Sequence, residues 1–223
     1  MENSKIIITE DGSHTVLDSR IAETYHSENG AINESQHVFI QNGLSQIEKD
    51  EINILEIGFG TGLNALLTCQ FAIEHKKKIN YLAIEKFPLK QEIIQQLNYP
   101  EKLNIDKEVF LNLHSSEWNK LQNLNLSFGL NKQHFDLLDY DFSKQKNIDL
   151  VYFDAFSPSK QPELWTANIF EQLYRTMSNG GLLTTYSSAG IVKRALRAVG
   201  FNVKRKPGPK GKFHMLNAFK LLK

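Results

Sequence analysis

Four carboxylate positions, each within or at the end of a short apolar run, stand where a nucleotide-like cofactor and a reacting group would meet. INILEI carries Glu56 and passes into Gly58, Gly60 and Gly62, and glycines after a strand let the backbone approach a ligand closely. Leu63 occupies the place where the dinucleotide fingerprint requires its third glycine, and an acid ahead of the loop suits a pyrophosphate poorly. Both features fit a cofactor with a positive amino group, as S-adenosylmethionine has. INYLAIE ends in Glu85, placed to accept hydrogen bonds from both ribose hydroxyls. LLDYDF offers Asp139 or Asp141 to the adenine edge; Asp141, nearer the expected strand end, is preferred, with a plain turn aspartate as the alternative. IDLVYF runs into Asp154, which points toward the same crevice. Moving a methyl from sulfonium to amine needs an oriented lone pair and a proton acceptor, and Asp154 can serve both ends. Phe156 is placed to stack on a base, and Lys160 or Trp165 to touch substrate from the same loop, with a cap role for Asp154 and a core role for Trp165 as the alternatives.

The elements that must hold these groups follow from the hydrophobic pattern. From Ile52 onward, short β-rich runs alternate with longer amphipathic ones. INILEI, a helix over 63–75, INYLAIE and a helix over 89–97 are followed by FDLLDY and IDLVYFDAF as further strands. A helix over 163–177, GLLTTYS, a helix over 189–199 and two closing strands, FNVKRK and FHMLNAFKLL, complete the series. This rhythm predicts a doubly wound α/β fold with a mostly parallel sheet and an antiparallel terminal strand, turned at PGPKG. Residues 1–50 read as an N-terminal extension packed on a domain of residues 51–223, with an insertion at about 98–134.

A chain of 223 residues suits one such domain. No apolar run is long enough to cross a bilayer, and no apolar segment follows a basic start, so a cytoplasmic location without membrane association is expected. The single cysteine, Cys69, sits in the apolar run LNALLTCQF and reads as a core thiol. The seven histidines show no metal-ligand spacing, and no metal is expected; His26 and His37 read as structural. The net charge of +1 conceals an asymmetry. All 25 acids lie at or before Glu171, and the 52 residues after it hold 11 Lys and Arg. A basic stretch of this kind either meets a polyanion or forms a solvated surface.

Several segments together resemble the MnmC-like or MnmD-like methyltransferases that complete 5-methylaminomethyl-2-thiouridine in tRNA. They are LEIGFGTGLNALL, AIEKFPL, VYFDAFSPSKQPELW and TTYSSAGIVKRALRAVGFNVKRKPGPKGKFHML, with YHSENGAINESQHVFI before them. The resemblance covers most of the chain, and DAFSPSKQPELW is its most specific part. It implies methyl transfer from S-adenosylmethionine to the aminomethyl group of 5-aminomethyl-2-thiouridine at the tRNA wobble position. It assigns Asp154 as catalytic. Glu56, Gly58, Gly60, Gly62, Asn64, Glu85, Lys86 and Asp141 become cofactor contacts. Phe156, Lys160, Trp165, Lys193, Arg194 and Arg197 become substrate contacts, the last three as phosphate contacts with KRKPGPKGK. The flavin-dependent oxidase domain of many members is not in this sequence, which reads as the stand-alone form with no obligate protein partner evident. A small-amine transferase of the spermidine synthase type lacks its expected G-G-G-D-G pattern here, and a non-catalytic RNA-binding protein would have little need of Asp154, Glu56 and Glu85 together.

Overall fold

A computed structural model describes residues 4–222. The chain opens with a small antiparallel sheet of β1 (Ser4–Ile8), β2 (His14–Asp18) and β3 (Glu23–Thr24). Helix α1 (Ala31–Ser35) then runs straight into a wider, π-wound stretch, Gln36–Gln41. The parallel core begins with β4 (Glu51–Ile57), α2 (Leu63–Glu74) and β5 (Lys78–Glu85), followed by short helices α3 (Gln91–Ile94), α4 (Tyr99–Leu103) and α5 (Lys107–Ser115). Next come β6 (Leu121–Asn123), β7 (Phe128–His134), β8 (Ile148–Phe153), α6 (Ala167–Thr176), β9 (Met177–Thr185), α7 (Gly190–Ala198), β10 (Asn202–Pro207) and β11 (His214–Phe219).

The large sheet has the order β10-β11-β9-β8-β4-β5-β7-β6. Its five central strands are parallel; β11, β10 and β6 pair antiparallel at the margins. Alternation along β4 and β8 divides the core in two. Ile52, Ile54, Leu150 and Tyr152 pack with α2 and with Phe39 of the N-terminal segment. Leu55, Ile57, Val151 and Phe153 pack with α6 and α7. Both faces are therefore covered, as a parallel sheet requires. The doubly wound α/β expectation and the antiparallel closing hairpin are both found.

The third parallel strand is β7, not FDLLDY. Its sequence, FGLNKQH, contains Lys132, which is 1% exposed, donates through Nζ to the His114 carbonyl at 2.6 Å and lies over the Trp118 ring. A fully buried lysine breaks the apolar signature of a core strand. FDLLDY turns instead, because the Asp136 carboxylate accepts the Leu138 N–H at 3.0 Å and caps a tight helical turn, Leu137–Asp139. Much of the segment expected as an insertion thus supplies α4, α5, β6 and β7. Two helices are also shorter than expected: only Gln91–Ile94 is helical in the first, and Thr166 caps the second so that it starts at Ala167.

Candidate active site

The parallel register sets the geometry of the site. Glu56 pairs with Tyr152 across β4 and β8, so Asp154, two residues beyond Tyr152, lies on the same face as Glu56. Asn64 sits in the first turn of α2 and joins them: its Nδ2 donates to Glu56 Oε1 at 3.0 Å and to Asp154 Oδ2 at 2.8 Å. The Asp154 N–H donates to the Ile57 carbonyl at 2.9 Å, which clamps the chemical loop to the end of β4. Burial drives the Asp154 carboxyl up to about 7, helped by the negative Glu34 and opposed by the Asn64 hydrogen bond and by Lys212. Burial also raises Glu56 well above the carboxylate range and raises Glu85.

A cavity of about 290 Å³ opens at the carboxyl ends of these strands. Its lining includes Gly58, Gly60, Asn64, Glu85, Lys86, Asp154 and Phe156, all expected at the site. Gly60 has φ of +49°, and a Cβ there would stand 2.8 Å from the Tyr25 ring, so only glycine fits. Glu85 ties the loop down by accepting the Gly60 N–H at 2.9 Å and the Phe87 N–H at 2.7 Å. Phe156 meets Tyr25 edge-on, with ring centroids 5.0 Å apart.

Other expected contacts lie elsewhere. Glu56 is fully buried behind Asn64 and does not line the cavity, because its strand position points it beneath α2. Its Oε1 accepts the hydrogen bond from Asn64 Nδ2. Gly62 forms the left-handed start of α2 against His114. Asp141 is exposed and caps its own turn through Ser143; Asp136, ion-paired with Lys86, lines the cavity in its place. That exchange follows from the strand shift described above. Lys160 faces solvent. Trp165 is 1% exposed, packs on Phe153 and donates through Nε1 to the Phe156 carbonyl at 2.9 Å, so it supports the loop from the core. Lys193, Arg194 and Arg197 lie on α7 outside the lining.

Lys212, from the KRKPGPKGK stretch expected at phosphates, lines the cavity together with Glu34, Tyr186 and His26, which were not expected there. Glu34, 6% exposed, accepts the Ser27 N–H at 2.7 Å and pairs with Lys212 at 2.5 Å. Lys212 also lies 4.1 Å from the Tyr186 ring centroid, and the Tyr186 hydroxyl donates to the Ala155 carbonyl at 2.9 Å. His26 is held by Thr61 at 2.7 Å, and burial lowers it to about 4, so it is neutral near pH 7. Glu34 lay legible within GAINES as a carboxylate, but nothing local shows that it faces a residue 178 positions away.

The arrangement fits a nucleoside-linked cation. Asn64 Oδ1 is buried, has no hydrogen-bond partner among the described residues and provides an acceptor for an amino group. Glu85 retains acceptor sites for ribose hydroxyls, and the Phe135–Leu138 turn offers a partly apolar wall for a purine.

Comparison with known proteins places these features in context. Residues 86–221 match a family described as S-adenosyl-L-methionine-dependent methyltransferase. The chain is similar to proteins called tRNA 5-methylaminomethyl-2-thiouridine biosynthesis bifunctional protein MnmC. The one from Leptospira interrogans is 34% identical over 218 residues, covering 91% of this chain and 33% of that one. The one from Marinomonas sp. (strain MWYL1) is 31% identical over 205 residues, covering 83% and 29%. The chain thus spans about a third of the length of these curated relatives. The crystal structure of MNMC2 from Aquifex aeolicus superposes with a TM-score of 0.80 at 26% identity, covering 100% of this chain and 71% of that one. Spermidine synthase from Thermotoga maritima, at 13% identity and a TM-score of 0.57, shares the fold.

Proposed function

Since the chain belongs to the S-adenosyl-L-methionine-dependent methyltransferase family, we propose that it methylates the aminomethyl nitrogen of 5-aminomethyl-2-thiouridine at the tRNA wobble position, yielding 5-methylaminomethyl-2-thiouridine. The observation that carries this reading is the Asp154 carboxylate, lifted to about 7 in a cavity that Glu23, Glu34, Glu85, Asp136 and Glu163 also line. An acidic cavity favours a cationic guest, and an aminomethyl group is an ammonium at neutral pH. The relatives' name, with its methylaminomethyl product on tRNA, supports the same choice.

When bound, S-adenosylmethionine supplies an electrophilic methyl carbon on a sulfonium. Asn64 and Glu85, with the Gly58–Gly60 backbone, would hold it. An ammonium has no lone pair to attack with, so it must first lose a proton. An Asp154 oxygen accepts that proton, and a base with a value near the working pH is suited to the task. The Asn64 amide fixes the carboxylate's orientation, while Glu56 fixes the amide. Phe156 offers a face on which the uracil ring stacks.

The test is transfer of labelled methyl from S-adenosylmethionine to tRNA that carries the aminomethyl nucleoside, with nucleoside analysis of the product. Label in 5-methylaminomethyl-2-thiouridine is expected. The acidic lining also suits a small polyamine, so putrescine belongs in the same assay; label found there and not in tRNA would overturn the tRNA reading.

A further inference from the structure

Glu34 and Lys212 are brought into the cavity from opposite ends of the chain, and neither is used in the proton transfer described above. Glu34 belongs to α1, ahead of the parallel core, and Lys212 to the turn between β10 and β11. Their ion pair at 2.5 Å is largely withdrawn from water, with Glu34 8% and Lys212 32% exposed by side chain. Desolvating such a pair has a substantial cost, so it is weak as a device for stability alone. Its position over Tyr186, whose hydroxyl is bonded to the carbonyl next to Asp154, sets it beside the reacting end of the cavity.

Charge arithmetic gives the pair a task. With Asp154 and Glu34 ionised and Lys212 protonated, the three side chains sum to one negative charge. An entering ammonium cancels it, a neutral hydroxymethyl group leaves it standing, and an acidic substituent doubles it. Resting on the reading of the substrate as a primary amine, we propose that Glu34 is the specificity-determining carboxylate of this site: it receives the substrate's ammonium opposite Asp154, while Lys212 limits the negative charge to what one ammonium can neutralise. Discrimination then comes from a repulsive element as well as an attractive one.

Other titratable groups near Asp154 are Glu56 behind Asn64, Glu85 at the end of β5, Glu23 from β3 and the Tyr186 phenol, and both substitutions leave them in place. Glu34 raises Asp154 and Lys212 lowers it. Removing each charge must therefore shift the acid limb of kcat/KM in opposite directions. This readout separates a charge role from a structural one, because both substitutions break the same ion pair.

The experiment compares the full-length wild type with Glu34→Gln and Lys212→Met on an aminomethyl-bearing tRNA between pH 6 and 9. Glu34→Gln is expected to raise KM for RNA more than tenfold, with a smaller fall in kcat, and to move the limb to lower pH; Lys212→Met moves it to higher pH. Limbs that shift together, or an unchanged KM in Glu34→Gln, overturn the proposal. Should the wild type transfer no methyl at all, the substrate assignment fails by itself. Equilibrium dialysis of 5-aminomethyluridine against 5-hydroxymethyluridine then decides the role of Glu34. A preference for the amine that Glu34→Gln abolishes supports it, and equal binding by both proteins overturns it.

Discussion

Asp154 carries a cost that the folded protein bears whenever it is ionised. Its folded value of about 7 lies above the ordinary 3.8, so between those values the native state keeps a proton that the unfolded chain has released. The stability this contributes is complete below the unfolded value and is lost as pH rises through about 7. Asp154→Asn removes that loss. At pH 8 the ligand-free variant is expected to melt about 2–4 °C above the wild type, the shift that about 1 kcal/mol produces in a chain of this size, and the gap should narrow as pH falls below about 7 and close near the unfolded value of 3.8. Methyl transfer should fall by at least about a hundredfold, the usual worth of a general base, and the acid limb near 7 should disappear. A variant less stable than the wild type at pH 8 would show that the carboxylate is not held under this strain. The strand-end position of Asp154 was legible in IDLVYFDAF, as was that of Glu85. Glu56 was legible as an acid but not in its role, because only the strand register and the first turn of α2 place Asn64 between it and the cavity.

At the scale of elements, the site depends on a hairpin reaching back over the N-terminal segment. The β10–β11 turn presents Gly211 against Asn29 and Lys210 against Glu10 at 2.8 Å, while His37 Nε2 donates to the Pro207 carbonyl at 2.9 Å. Gly211 has φ of +83°, and a Cβ there would stand 2.2 Å from Asn29 Nδ2. Gly211→Ala should therefore push the hairpin tip away from the segment that walls the cavity. The expected result is a several-fold rise in KM for RNA with affinity for S-adenosylmethionine unchanged, since the glycine loop is anchored separately by Glu85. Equal loss of both affinities would mean that the hairpin and the cofactor loop move as one unit. Periodicity located the parallel strands β4, β5, β8 and β9 and the closing hairpin, because their apolar runs are continuous or bounded by clear turns. It misplaced β7, where Asn131, Lys132 and Gln133 interrupt the run, and with that shift the acid expected at the cavity was Asp141, whereas Asp136 lines it.

Across the whole molecule, the fold sorts the uneven charge of the sequence into two populations. Lys212 turns inward against Glu34 and Lys210 pairs with Glu10 at the surface, so part of the basic C-terminal stretch neutralises acids from the start of the chain. Lys193, Arg194 and Arg197 remain on α7, and Lys204 and Arg205 on β10, exposed or half-exposed on neighbouring elements. If tRNA is the substrate, the second population is the one available to phosphates, and the site itself, lined by acids, repels the backbone and admits only the extruded base with its ammonium. Replacing Lys193, Arg194, Arg197, Lys204 and Arg205 with Gln should then weaken tRNA binding. It should also flatten the plot of log affinity against log salt by about 0.7–0.9 for every phosphate that the variant no longer neutralises. Turnover of the free aminomethyl nucleoside should stay at its wild-type level, because none of the five residues lines the cavity. An unchanged salt slope would assign these cations to solvated surface and move the search for the RNA-binding face to the rim of the cavity.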